Sequence, residues 1–263
     1  MSDTVRMIQA HLFPVFRSFD RLCREQGLRY YLLGGTMLGA IRHRGFIPWD
    51  DDMDVGMPRP DYERLLKLLK TRPREDLRAW NAENDPSCTY DFTKLMRTAQ
   101  VDGNTLDLFL DVFPLDGCPT CSEAGIRRYY LGFDRLRIMK NARAMTLEGK
   151  GPVKRLAVRL LRLIPMRFWK RRMDRYLARA PFDTSPAVGN FSGHWREKEI
   201  MPREIYGTPT TVFFEDGEYF GVSDPHAYLS RMYGDYMKIP EEHQREYHFT
   251  ASKLLTTKEN SDV

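Results

Sequence analysis

Four aspartates fall within five positions of this 263-residue chain: Asp50, Asp51, Asp52 and Asp54. Carboxylates packed this closely repel one another, so the cluster is costly unless a cation sits among them; a divalent metal is the simplest candidate. Upstream stands Gly34-Gly35-Thr36. Two glycines let backbone N–H groups approach an anion with no side chain in the way, and a following helix would aim its N-terminus there. Downstream, Asp107 and Asp111 lie in a second apolar run. Side chains of a strand alternate between faces, so Asp52 and Asp54 share one face and Asp51 turns away. Asp50 joins them if the strand begins early enough. A two-metal phosphoryl-transfer site needs converging carboxylates around ions roughly 3.5–4 Å apart. Asp52, Asp54 and Asp111 form such a triple if the two strands are neighbours.

The plainer reading is a solvated acidic loop or an isolated calcium loop. The residues lack the Gly and Glu offsets of an EF-hand. A solvated loop is also not expected between Ile47 and Trp49 on one side and Val55 and Met57 on the other.

The elements that must position these groups follow from periodicity. Val5, Ile8, Leu12, Val15, Phe16, Phe19 and Leu22 predict an amphipathic helix from about Thr4 to Glu25. Tyr30 to Leu33 reads as a short strand running into the glycines, with Thr36 capping a helix that carries Met37, Leu38 and Ile41. Asp52 to Met57 reads as a strand ended by Pro58, and Arg59 to Lys70 as a helix. Tyr90 to Met96 is a further candidate strand. Asn104 to Phe113 is a clear one, with Leu106, Leu108, Leu110 and Val112 on one face and Asp107, Phe109, Asp111 and Phe113 on the other. Pro114 is expected to stop it. Ser122 to about Ala180 is helical and basic. Strands Thr211 to Phe214 and Glu218 to Val222 and a helix from Pro225 to Tyr233 follow, and the polar tail Lys258 to Val263 reads as frayed.

Composition is that of a soluble globular protein, 42% hydrophobic and 29% charged, with a net charge of +5. The chain holds no run of about 18 apolar residues, and Met1 to Ala10 lacks a signal peptide's apolar core, so a cytoplasmic location is expected. Four scattered cysteines do not make a disulfide framework. Cys118-Pro119-Thr120-Cys121 reads as half a zinc site that Cys88 and a histidine would complete, or, more simply, as a reduced pair in a loop.

With these residues in view, Gly34-Gly35-Thr36 followed by Asp52-x-Asp54 resembles the nucleotidyltransferase superfamily. The run from Gly34 through Arg42-His43-Arg44-Gly45 and Pro48-Trp49-Asp50-Asp51-Asp52-Met53-Asp54 to Val55 resembles the LicD family of phosphocholine transferases, distant kin of fukutin and fukutin-related protein. The resemblance continues at Leu110-Asp111-Val112-Phe113-Pro114-Leu115-Asp116-Gly117 and returns at Tyr233-Gly234-Asp235-Tyr236-Met237. It implies an α+β fold: a nucleotidyltransferase-like core with a mixed β-sheet flanked by helices, plus helical additions. One domain over 1–263 is expected, with a core at 1–116, a basic helical insertion at 117–180 and a C-terminal part at 181–263 completing the site.

The family places a phospho-substituent from a CDP-linked donor on a glycan hydroxyl and releases CMP. The resemblance makes Asp52, Asp54 and Asp111 the catalytic and metal-binding carboxylates, with Mg2+ or Mn2+ as cofactor. It puts Gly34, Gly35 and Thr36 against the nucleotide phosphates. Arg42, Arg44, Lys94 and Arg97 are further candidate phosphate contacts. CDP-choline is the expected donor, and a glycan or lipid-linked glycan the acceptor. Choline's quaternary ammonium would lie against aromatic faces, for which Trp49, Tyr90, Trp195 and Tyr206 are available. Transfer of ribitol phosphate, nucleotidyl transfer and an inactive nucleotide-binding adaptor are the alternatives; the intact aspartates speak against the last.

Lys154 to Arg175 carries nine lysines and arginines among leucines, valine, isoleucine and aromatics, and Pro165 is expected to bend it. A helix packed on the core with a charged outer face and a helix docked on an anionic membrane surface, as a peripheral protein would need, are equally compatible with that pattern. No nucleic-acid motif accompanies the charge. His194 beside Trp195 and His248 after Tyr247 have no carboxylate at a telling spacing, and structural roles are expected for both.

Overall fold

The structure, a computed structural model, describes residues 3–85, 88–101, 104–143, 145–149 and 151–242. His248 and the tail from Lys258 lie outside the described residues. The chain opens with α1 (Asp3–Gln26), whose seven periodic apolar residues are all buried. Each such burial is worth about 1.5–3 kcal/mol, enough to carry the helix through Pro14 in its interior. Then come β1 (Tyr31–Leu32), α2 (Gly34–His43), β2 (Asp54–Pro58), α3 (Arg59–Thr71), β3 (Arg78–Trp80), β4 (Thr93–Val101) and β5 (Asn104–Cys118). The strands order as β1-β2-β5-β4-β3 in a mixed sheet flanked by helices, an α+β architecture.

β4 and β5 depart from their expected bounds. β4 begins at Thr93 rather than Tyr90 and runs on to Val101, because it is the partner of β5 along its length, from Thr93 opposite Val112 to Val101 opposite Asn104. β5 does not stop at Pro114. Its ladder with β4 ends at Val112, and from Leu115 it pairs instead with β6 (Ala187–Asn190). Pro114 sits at the change of partner, where its missing N–H costs least.

The described residues up to Pro114, together with those from Glu204 onward, form one compact unit; Leu115–Arg203 form a second. In the second, α4 (Glu123–Ala142) starts at Ser122, whose hydroxyl accepts from the Gly125 N–H at 3.2 Å. The basic stretch divides at Pro165 into α5 (Pro152–Leu163) and α6 (Met166–Leu177). α4 and α6 close over a core of Tyr130, Phe133, Trp169, Met173, Leu177 and Phe191. β6 pairs with β7 (Ile200–Pro202), with a 3-10 turn at Arg196–Glu199 before it. Cys118 is buried, and Cys121 is exposed with its thiol donating to the Pro186 carbonyl at 3.0 Å; none of the four cysteines, all among the described residues, is in a disulfide.

The chain then passes through α7 (Arg203–Tyr206) and returns to the first unit. β8 (Thr210–Phe214) and β9 (Gly217–Gly221) make a hairpin, and α8 (Pro225–Tyr233) follows as predicted. The hairpin seats Phe214 and Tyr219 on Phe16 of α1 at ring distances of 6.2 and 4.8 Å. Among the described residues, no helix is long and apolar enough to cross a membrane.

Candidate active site

The glycine turn joins β1 to α2. Gly34 has φ +50°, a left-handed conformation that disfavours side chains. A Cβ there would lie 3.2 Å from Asp54 Oδ2, and one on Gly35 would lie 2.7 Å from Asp50 Oδ2. Both glycines are therefore small because carboxylates press against them. Thr36 does not cap α2: Leu33 holds the cap position, without a side-chain bond. Thr36 Oγ1 instead accepts from the Asp54 N–H at 2.8 Å, while the Leu33 N–H donates to the Asp54 carbonyl at 3.0 Å. The first turn of α2 thus grips the first residue of β2, and its electropositive end faces the aspartates.

β2 begins at Asp54, so Asp52 precedes the strand and the expected strand start is corrected. The hydrogen bond to Thr36 marks where the regular ladder takes over. Asp50, outside the predicted ligand set, shares a hydrogen bond with Asp52. Burial, then repulsion from Asp52 and Asp51, pushes the Asp50 carboxyl well above the usual carboxylate range. Its loop is pinned by Gln9, whose Nε2 donates to the carbonyls of Asp50 at 2.7 Å and Ile47 at 3.1 Å. Asp52 and Asp54 are half-buried and Asp51 is buried.

β5 is the neighbour of β2, as the triple required, and the Asp111 N–H donates to the carbonyl of Met53, the residue between Asp52 and Asp54, at 2.9 Å. The Asp111 carboxylate is held by Lys94, whose Nζ lies 2.7 and 2.9 Å from its two oxygens. Lys94 is buried, and its ammonium also faces the rings of Phe109 at 3.6 Å, Tyr90 at 4.9 Å and Phe92 at 5.3 Å. Among the described residues, no three acidic, histidine or cysteine side chains are gathered closely enough to enclose a metal as they stand. The chemistry of the donor set is nonetheless that of a hard cation: oxygen ligands only, with a carboxyl destabilised by its acidic neighbours.

The other expected contacts are dispersed. Arg42 donates from Nη1 to the carbonyl of Tyr236 at 2.9 Å and from Nε to His43 Nε2 at 2.9 Å, and burial lowers its pKa. It therefore ties the motif that begins at Tyr233 to α2. Arg44 ends α2 with φ 61° and lays its guanidinium 4.6 Å over Phe213. Arg97 is exposed and three residues from Lys94 on β4, hence on the opposite face. Of the four nominated aromatics, Tyr206 is buried against Tyr31 and Tyr228, Trp195 belongs to the second unit with Lys198 over its ring, and Trp49 stands edge-on to His43. Tyr90 alone of the four faces the ammonium that holds Asp111.

Sequence reasoning missed the support from α8. Tyr228 OH accepts from the Gly34 N–H at 2.9 Å, and Tyr233 OH lies 3.7 Å from where a Gly34 Cβ would be. Tyr233 opens the C-terminal motif, which was a signal; Tyr228 gave none.

This geometry has a counterpart among known proteins. Residues 27–122 match the family model described as LicD/FKTN/FKRP, nucleotidyltransferase domain. That segment is a LicD-family domain. It spans the glycine turn, all the clustered aspartates, Lys94 and Asp111. Beyond the domain, the chain is 29% identical to the lipopolysaccharide cholinephosphotransferase LicD of Haemophilus influenzae over 96% of its own length and 98% of that protein's. It is 58% identical to the ribitol 5-phosphate transferase FKRP of Homo sapiens and of Mus musculus over 42 residues, 16% of this chain and 8% of FKRP. LicD kinship is thus both full-length and shallow, whereas FKRP kinship is short and dense.

Proposed function

We propose that the chain transfers phosphocholine from CDP-choline to a hydroxyl of a cell-surface glycan, releasing CMP. Its class is that of the phosphotransferases, and full-length kinship with a lipopolysaccharide cholinephosphotransferase favours a glycan acceptor. The observation that carries the reading is that Asp54 is tied by its N–H to Thr36 in the first turn of α2, Asp52 is hydrogen-bonded to Asp50, and Asp111 is hydrogen-bonded to Met53, the residue between Asp52 and Asp54.

In this reading Asp52 and Asp54 hold Mg2+ or Mn2+, with Asp50 behind them. The ion supplies charge neutralisation for the donor's diphosphate. Gly34 and Gly35 leave room beside the carboxylates, and the N–H groups at the head of α2 lend their dipole to the phosphates. Asp111 accepts the proton of the acceptor hydroxyl as its oxygen bonds to phosphorus and the bond to the CMP oxygen breaks. Lys94 keeps the Asp111 carboxylate aimed, so most of the rate comes from positioning and charge complementarity. Asp111 as a ligand of a second ion is the variant of this scheme, and it requires Lys94 to give up one oxygen. Tyr90, the nominated aromatic that lies beside the Lys94–Asp111 pair, is the candidate contact for the donor's choline.

Ribitol phosphate is the competing cargo, favoured by the dense match to FKRP. Calorimetric titration of CDP-choline, CDP-ribitol and CTP, with and without Mg2+, separates the readings. Metal-dependent preference for CDP-choline supports the proposal. Preference for CDP-ribitol keeps the chemistry and changes the cargo. Tight CTP binding with indifference to both conjugates points to nucleotidyl transfer, and no nucleotide binding at all to an inactive adaptor.

A further inference from the structure

The two helices on either side of Pro165 share a basic composition but not a fate. α6 turns Trp169, Met173 and Leu177 into the core of its unit, so its cations form the charged outer face of a packed helix. α5 buries only Val158, with Leu161 packed beside it. Val153, Leu156, Leu160 and Leu163, spaced three and four apart along one side of α5, are 80, 58, 55 and 77% exposed. Phe168, at the start of α6, is 47% exposed. A continuous stripe of large aliphatic side chains facing solvent is what a folded unit avoids unless something covers it.

The charge around the stripe indicates the cover. α5 carries Lys154, Arg155, Arg159 and Arg162 and no acidic residue. The stretch from Lys154 to Arg175 has nine cations against one acid, Asp174. An aliphatic stripe bordered by cations matches the interface of an anionic bilayer, where apolar side chains enter the acyl boundary and guanidinium groups meet lipid phosphates. A second copy of this chain would present the same cations and be repelled by them. We propose that α5 is a membrane-surface anchor that lies flat on anionic lipid through Val153, Leu156, Leu160 and Leu163. The inference is independent of which group the active site transfers.

Co-sedimentation of the full chain with vesicles tests it. Vesicles of phosphatidylglycerol in phosphatidylcholine should bind the protein, vesicles of phosphatidylcholine alone should bind it poorly, and added salt should weaken the attachment. Leu156→Gln with Leu160→Gln should lower partitioning about tenfold or more, and Arg155→Gln with Arg159→Gln by a similar factor. Thermal melts should stay unchanged, since none of these side chains is in the core. The proposal fails if wild type stays in the supernatant with anionic vesicles, or if it binds both vesicle types alike. It also fails if the leucine variant binds as wild type does. Light scattering that shows a wild-type dimer dissolved by Leu156→Gln with Leu160→Gln would assign the stripe to a second copy instead and overturn the lipid assignment.

Discussion

Asp50 in the first unit and Glu199 in the second are both buried carboxyls held above the usual range, chiefly by loss of solvent. Their surroundings differ. Glu199 accepts from the Trp195 N–H at 2.8 Å and from Asn190, with Arg137 adding a favourable charge, and its pKa is pushed only to about 7. Asp50 meets the charges of Asp52 and Asp51, which push the same way as burial and outweigh the hydrogen bond from the Asp51 backbone. A buried carboxyl surrounded by donors is part of a scaffold. One surrounded by other carboxylates is where the proposed cation would relieve repulsion. The distinction lies in the neighbours and not in the burial.

The largest test of that contrast is Asp52→Asn. On the proposed reading, transfer should fall about a thousandfold or more while the melting temperature holds or rises, because an acidic neighbour of Asp50 has been removed. Turnover near that of wild type would break the comparison at its root. In the second unit the corresponding contrast is between helices. Trp169→Ala should cost about 3–5 kcal/mol in urea unfolding, and Leu160→Ala, on the exposed stripe of α5, within about 0.5 kcal/mol. Equal costs would mean that α5 is packed as α6 is.

Glu199 supplies a pH test. Below about pH 4.5 it is protonated both folded and unfolded and contributes no slope. Between about 4.5 and 7 the folded chain keeps the proton and the unfolded chain loses it, so stability falls as pH rises, by about 3 kcal/mol at most, and levels off above 7. Glu199→Gln should remove that slope, so stability curves of the two proteins that run parallel from pH 4.5 to 8 would place Glu199 among ordinary exposed acids. A smaller effect than that of Glu199 is expected of Gly34→Ala, about 1–2 kcal/mol from the left-handed backbone and the crowding on Asp54, read as a lowered melting temperature. An unchanged melt would show that the turn relaxes away from the carboxylate.

Where burial has a period, the sequence announces it. The seven apolar residues of α1 and the bounds of α8 are legible because packing enforces helical spacing. Asp52 and Asp54 are legible because their cost has few explanations. The Lys94–Asp111 pair is not, because it depends on the register of β4 against β5, and no spacing along the chain encodes which residues end up opposite. Nor is the continuation of β5 through Pro114, which needs two partner strands, one whose pairing ends at Val112 and one whose pairing begins at Leu115. The split between α5 and α6 was visible as a break at Pro165, but not which half would be buried, since both halves carry the same residue types.

The Gly34 N–H finds its acceptor in Tyr228, a residue 194 positions further along the chain. During synthesis, therefore, the aspartates emerge long before the turn above them can be completed. At about 5–20 residues per second, the interval between Asp111 and α8 lasts on the order of ten seconds. Residues 115–203 are contiguous and can collapse in that time, whereas the unit that holds the candidate site must wait for α8. A ribosome-bound chain halted before Pro225 would carry every proposed catalytic carboxylate and still lack the hydroxyl that fixes the glycine turn.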